Sequence, residues 1–291
     1  MNTKSTVLQI KNQIFGTFFP QIVARKAAQL FLTPKRFPVK EWEKKAESGC
    51  ERIPFGNGLS AARWGNGREK ILIMHGWESR ATQLYSLVPD LIGCGFEVIG
   101  IDAPGHGHSH GERAHPVMFA KAIQEADQTF GPFYGAIGHS MGGAAISIAM
   151  ESGVRFQRVV LISSPNNLID VLTAFAGVIG MPGRAARLFV KAVEQEVGRP
   201  ANEFDVGKVF AALNPEALII HAKNDKEVPF ACHEAIIRAC PGLQAYQSKT
   251  LGHRKIVRSP EVSALIGRFM YQEQKTTFSS TGMKQGPVST I

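Results

Sequence analysis

The sequence predicts an open α/β sandwich, a mostly parallel central sheet with helices on both faces. Three observations lead there. From residue 68 onward, short apolar runs alternate with longer helical patterns. The runs are apolar almost throughout, as strands buried on both faces are, and helical crossovers between strands are what a parallel sheet requires. At 291 residues, 44% hydrophobic and 20% charged, the chain can bury a large core.

The elements follow in order. KILIMHGW (70–77) reads as a buried strand, and ATQLYSLVPDLIGCG (81–95) as a helix closed by Gly93-Cys94-Gly95. FEVIGID (96–102) is a strand and MFAKAIQEADQTFG (118–131) a helix; FYGAIG (133–138) is a strand and MGGAAISIAMESG (141–153) a helix. RVVLISS (158–164) and EALIIHA (216–222) are strands, FACHEAIIRACPG (230–242) a helix, LQAYQSK (243–249) a strand and PEVSALIGRFMYQ (260–272) a final helix. Residues 165–215 interrupt this alternation with small and apolar helical sequence broken at Gly180-Met181-Pro182-Gly183. An insertion of that length reads as a lid over a site.

Three segments result: an extension over 1–50, a main domain over 51–273 and a tail over 274–291 whose Thr/Ser/Gly-rich composition predicts disorder. The extension carries apolar pairs four residues apart, Ile14/Phe15, Phe18/Phe19 and Ile22/Val23, the pattern of an amphipathic helix interrupted near Pro20. It also holds the charge. The net +9 divides into +7 over residues 1–45 and only +2 over the other 246. A nearly neutral body argues against nucleic acid as the partner. The extension itself reads in three ways: packing against the domain or lid, peripheral contact of residues 1–40 with an anionic membrane, or a transit peptide.

Cys50, Cys94, Cys232 and Cys240 show no CxxC spacing, which predicts free thiols and neither a zinc ribbon nor a redox pair. With no apolar run of spanning length and no secretory h-region, the expected location is cytoplasmic.

Gly-x-Ser-x-Gly occurs twice, at Gly107–Gly111 and at Gly138–Gly142. Composition alone predicts about 0.17 occurrences, so chance can supply one of them and context must separate the two. The second sits directly between a strand and a helix, a sharp turn that lifts Ser140 above the carboxyl edge of the sheet. Gly138 and Gly142 are small because strand and helix approach closely there. The helix N-terminus aims unpaired N–H groups at the site. Ser109 has no such setting and reads as a loop residue beside the pocket.

A serine nucleophile needs a base held by a third group. Among the later histidines, His221 lies inside a strand and His233 inside a helix, whereas His253 follows a strand on a Gly-preceded loop at the same sheet edge. Asp225, in the loop AKNDKEVP after a strand, is the expected acid, with Glu227 as the alternative. Backbone N–H groups of Met141 and of Trp77 are the expected oxyanion donors, Gly76 allowing close approach, while His75 reads as a loop brace.

These motifs, His75-Gly76-Trp77, Asp102-x-Pro-Gly-His-Gly-x-Ser109, Gly138-His-Ser-Met-Gly-Gly143 and Asp225-x-x-Val228-Pro229 followed by Gly252-His253, together resemble the α/β-hydrolase-fold serine hydrolases from about residue 53 to 272. The resemblance implies an α/β-hydrolase fold with a short helical lid, carboxylesterase or lipase-like activity through a Ser140-His253-Asp225 triad, and no cofactor or metal. Haloalkane dehalogenases and epoxide hydrolases share that fold with Asp at the nucleophile position, which Ser140 disfavours. The expected substrate is a small-molecule ester with a small-to-medium, largely apolar acyl group. Thioesterase, amidase and acyltransferase activities use the same residues and stay open, and a non-catalytic binding protein is the reading from another class.

Overall fold

The computed structural model describes residues 3–271; the tail beyond Gln274 lies outside them. Its eight strands are β1 (Glu51–Phe55), β2 (Leu59–Trp64), β3 (Glu69–Met74), β4 (Phe96–Asp102), β5 (Gly135–His139), β6 (Arg158–Ile162), β7 (Glu216–Ala222) and β8 (Gln244–Ser248). They form one sheet in the order β1-β2-β4-β3-β5-β6-β7-β8. β2 runs antiparallel to both β1 and β4, and all other neighbours are parallel. The chain thus has the mostly parallel sheet that its apolar runs predict.

The helices are α1 (Thr3–Phe18), α2 (Pro20–Leu32), α3 (Lys44–Ser48), α4 (Val88–Gly93), α5 (Pro116–Phe130), α6 (Met141–Glu151), α7 (Leu168–Val178), α8 (Gly183–Val197), α9 (Val206–Leu213), α10 (Ala231–Ala239), α11 (Gly252–Lys255) and α12 (Pro260–Tyr271). Alternate residues of the central strands feed two cores. Val159, Leu161, Ala217 and Ile219 point to one, Val160, Ile162, Leu218 and Ile220 to the other. This period of two on a sheet covered on both sides is why the runs look continuously apolar.

Three local readings need correction. The β1–β2 hairpin was not anticipated, because ERIPF carries charge and Pro54 while LSAARW is rich in small residues; Pro54 is tolerated on an edge strand, where one side of the backbone needs no partner. The helix expected over 81–95 is instead a 3₁₀ segment (Ala81–Leu87) followed by α4, with Pro89 in the first turn of α4, where its missing N–H costs nothing. His253 lies not on a loop but within the single turn of α11.

The extension is part of the fold. Phe19, at φ −128° and ψ 56°, separates α1 from α2, and Pro20 opens α2. Ala24, Ala27, Ala28 and Leu32 are buried where α2 packs on α8. Gly16 lets α1 touch the α7–α8 break, since a Cβ there would stand 2.7 Å from Pro182 Cδ. Beyond α2, Arg36 donates to the carbonyls of Gly107 (2.7 Å), Ser109 (2.6 Å) and Gly111 (3.1 Å). β4 and β5 lie on opposite sides of β3, so the strand order reverses there. In such sheets the crevice outside the carboxyl ends of the strands is where ligands bind. β3 ends in His75-Gly76-Trp77 and β5 leads into Ser140.

Candidate active site

Ser140 joins β5 to α6 at φ 54° and ψ −124°, a strained conformation for a residue with a Cβ. Close approach holds it there. A Cβ at Gly138 would lie 2.6 Å from the Gly142 backbone, and one at Gly142 would lie 2.3 Å from the Met74 carbonyl oxygen. Packing on both sides therefore excludes any larger residue. The Ser140 N–H is itself consumed, donating to Ile162 O at 2.9 Å, which pins the turn to the sheet. Met141 is the first residue of α6, so its N–H has no partner within the helix. Gly76 crowds the same point from β3, an added Cβ there falling 2.9 Å from Ser140 Cβ. Trp77 follows directly.

Asp225 and His253 meet across the ends of β7 and β8. Asp225 Oδ2 is 2.8 Å from His253 Nδ1, and its other oxygen accepts from the Glu227 and Val228 N–H groups, both at 2.9 Å. The Asp225 side chain is fully shielded from solvent. Burial pushes its pKa up, but the His253 bond and the two backbone donors outweigh that and hold it down at about 2. The carboxylate is therefore charged and acceptor-only, so His253 presents N–H at Nδ1 and leaves Nε2 as the accepting nitrogen of the ring. Asn224 secures the His253 turn by accepting from Gly252 N (3.0 Å) and donating to Thr250 O (3.2 Å). Glu227, the alternative acid, pairs outward with Arg254 at 2.8 Å. Ser140 and His253 line one cavity together with Trp77 and Met141. No hydrogen bond joins the Ser140 and His253 side chains, a contact that commonly tightens only when substrate binds.

The other histidines here are neutral braces. Burial lowers His75 to about 4, and its ring donates from Nδ1 to Gly76 O (2.7 Å) and accepts the Ala103 N–H at Nε2 (3.0 Å). Burial likewise lowers His106 to about 3, and it accepts from Glu78 N at 3.0 Å. His139, lowered to about 3 by burial and then by the neighbouring His253, donates from Nε2 to His253 O at 3.0 Å. His221 lies 3.6 Å from Asp225 but donates to Val228 O at 3.0 Å, so its ring orientation is already set. His139 has a part in placing His253 that its sequence position does not disclose.

The first Gly-x-Ser-x-Gly has another use. Ser109 is 1% exposed; its hydroxyl donates to Asp102 O and accepts the Ser60 N–H at 2.8 Å. Gly107, at φ +48°, passes so near Asp102 that a Cβ would sit 2.2 Å from the carboxyl carbon. The fully buried Asp102 carboxylate in turn accepts from Ala81 N, His108 N and Arg52. The glycine and serine of this loop thus belong to a carboxylate clamp at the end of β4. The loop does not line the cavity as the sequence reading allowed; Pro116, beyond it, does.

The cavity measures about 750 Å³ and is walled on one side by α7, the 3₁₀ turn at Phe204 and α9. Asn167 and Asp205 cap α7 and α9 by accepting from Asp170 N and Lys208 N, and a β-bridge joins the two caps. Asn166 adds two ties, its side chain accepting from Gly207 N (2.9 Å) and its carbonyl from Val206 N (2.8 Å). Phe31 of α2 also lines the cavity, next to α7. Its ring stacks on Trp77 at 6.4 Å and meets Phe175 and Phe189 edge-on at 5.1 and 5.7 Å. Sequence reasoning missed Phe31. Its apolar spacing marks a helix face, and only the docking of α2 on α8 makes that face a pocket wall. All four cysteines are free. Among the described residues, no group of His, Cys, Asp and Glu is placed to hold a metal ion, and no helix is long and apolar enough to cross a membrane.

Comparison with known proteins bears on the fold. The family model for serine aminopeptidase, S33, matches residues 65–207. No curated protein matches the sequence. Among solved structures, an esterase of Pyrococcus furiosus superposes with a TM-score of 0.60 at 18% identity, covering 82% of this chain and 98% of its own. A bromoperoxidase from Bacillus anthracis gives 0.58 at 16%, covering 77% and 100%. An esterase from Exiguobacterium antarcticum gives 0.58 at 16%, covering 76% and 99%.

Proposed function

We propose that this chain, an α/β-hydrolase-fold protein esterase- and lipase-like in architecture, is a hydrolase that cleaves carboxylic esters of a small-to-medium apolar acyl group. The observation that carries the reading is the 2.8 Å Asp225–His253 pair on the same cavity as the strained Ser140. Ser140 Oγ attacks the ester carbonyl carbon while His253 Nε2 takes the hydroxyl proton. The oxyanion is received by the N–H groups of Met141 and Trp77, a donor pair in which each member is worth about 10²–10³ in rate. The imidazolium, steadied by Asp225, returns its proton to the departing alcohol. Water, deprotonated by the same imidazole, then releases the acid.

The family model invites a second reading, cleavage of an amide beside a free amino group, and the aromatic wall of the cavity favours the ester over it. Of the carboxylates there, Glu151 is held by Arg199 (2.6 Å), Glu227 by Arg254 (2.8 Å), Asp170 by Asn167 (2.8 Å) and Asp205 by the Lys208 N–H (2.9 Å). Glu151 and Glu227 thus already carry a cation, while Asp170 and Asp205 are bound only by neutral donors that tie them into the caps of α7 and α9. The aromatic wall at Phe31, Trp77 and Phe175 suits an apolar acyl chain.

A fluorophosphonate probe, with the labelled peptide mapped, tests the nucleophile beside a chain-length panel of nitrophenyl esters. Label on Ser140 and loss of hydrolysis in Ser140→Ala are expected. Label on another serine, or unchanged hydrolysis in Ser140→Ala, overturns the assignment.

A further inference from the structure

The corner where α1 meets α2 carries large apolar side chains on its outer surface. Ile14, Phe15, Phe18, Phe19 and Ile22 are all at least half exposed, Phe18 reaching 74%. The opposite face of the same hairpin is committed inward, through Gly16 on Pro182 and the buried alanines of α2 on α8. Among the described residues nothing covers these rings, and Phe15 and Phe19 already gather with centroids 6.3 Å apart. A cluster of this kind marks an interaction surface.

Charge identifies what it meets. Residues 1–40 contain seven Lys or Arg and no Asp or Glu. Arg25 and Lys26 lie exposed on α2, within a turn of Ile22. A second copy of this chain, docked about a two-fold axis, would bring this basic segment against itself. An anionic bilayer offers the opposite charge together with an apolar interior for the rings.

We propose that the α1–α2 corner docks this protein on an anionic lipid surface, with Phe15, Phe18, Phe19 and Ile22 entering the headgroup–acyl boundary. The cavity lies beside it. Gln9 of α1 donates its side-chain N–H to Val178 O at 2.9 Å, and Val178, 67% exposed, lines the cavity. Phe31, farther along the same hairpin, forms the cavity wall. The docked protein therefore opens near the bilayer, and its ester substrates partition from the lipid phase. That second statement rests on the ester-hydrolase reading, whereas the docking does not.

The test is co-sedimentation of the full chain with vesicles of phosphatidylglycerol and phosphatidylcholine in equal parts, and with phosphatidylcholine alone. Ser140→Ala is run in parallel so that binding is read without turnover. Truncating residues 1–40 would remove the Phe31 wall, so the comparison uses the triple variant Phe15→Ser, Phe18→Ser, Phe19→Ser, whose fold is checked by retained fluorophosphonate labelling or, if the catalytic reading fails, by an unchanged unfolding midpoint. Expected are binding to the anionic vesicles that weakens with added salt, at least about tenfold weaker partition of the triple variant, and persistence of binding in Ser140→Ala. Equal soluble fractions with and without anionic vesicles, equal binding to phosphatidylcholine, or a stable dimer that the triple variant dissociates overturns the docking. Absence of ester hydrolysis by the parent protein, with its vesicle binding intact, overturns the ester reading and its substrate consequence alone.

Discussion

His139 holds His253 from behind: its Nε2–H donates to the His253 carbonyl at 3.0 Å, and the two rings lie 4.7 Å apart at 42°. Burial keeps His139 neutral, with a pKa near 3, so the donor is present throughout the working pH range. His139→Phe keeps a ring beside His253 but leaves that carbonyl unpaired, a loss of about 1–3 kcal/mol. The expected result is a kcat lower by about tenfold or more with KM little changed, since His139 acts through another residue and touches no substrate. Titration of active sites with the fluorophosphonate probe, beside kinetics at stepped pH, separates the two: a purely structural loss lowers the titrated fraction and leaves the pH profile unmoved, whereas the positioning role lowers kcat per titrated site and shifts the profile.

Asp225→Asn tests the acid twice. The amide can present its N–H to His253 Nδ1 and stabilise the wrong tautomer, for which a kcat loss of about 10⁴ is expected. The variant also alters acid stability. The Asp225 pKa falls from 3.8 unfolded to about 2 folded, so its contribution of about 2 kcal/mol is complete above pH 4 and lost as pH falls through 2. Urea unfolding at stepped pH should show a shallower decline between pH 4 and 2 in Asp225→Asn than in the parent.

Phe31→Ala removes three ring contacts from a partly buried position, and a stability loss of about 2–3 kcal/mol is expected. Its functional mark is selective. Acetyl esters, too short to reach the wall, should keep kcat/KM within about twofold, while medium-chain esters lose about tenfold. A uniform fall across the nitrophenyl ester panel would place Phe31 outside the acyl site.

Gly142→Ala drives a Cβ to 2.3 Å from the Met74 carbonyl, and to 2.6 Å from that of His75. Neither backbone atom can give way cheaply, so a loss of about 3 kcal/mol or more is expected, with the elbow displaced. Gly93→Ala is the matched control: nothing lies within 4 Å of the added atom, and helix propensity predicts a gain of up to about 1 kcal/mol. Chemical denaturation of the two variants measures the contrast.

The parallel strands were legible because burial on both faces writes itself as a short unbroken apolar run, and β4 matches FEVIGID residue for residue. The turn at Ser140 was legible for a related reason: two glycines spaced around a serine, with strand before and helix after, leave few other packings. Information carried by distance was not. Phe31 and Phe189 are 158 positions apart in the chain, and no local pattern reports that their rings meet. β1 lacks the apolar run that marks a strand because it sits at the sheet edge, where Glu51 and Pro54 are harmless. Ser109 looked like half of a catalytic motif because its glycines answer to Asp102, a contact made through space.

The Phe31–Phe189 contact has a consequence for synthesis. α2 leaves the ribosome long before α8, the surface that covers its alanine face. Through that interval the hairpin waits with both its faces unsheltered, the inner one bound for α8 and the outer one rich in phenylalanine. The chain therefore carries a stretch that is prone to capture by chaperones or by other nascent chains until residue 197 has emerged. Faster translation, or a weaker α8, should show first as aggregation of newly made protein and only afterwards as lost activity.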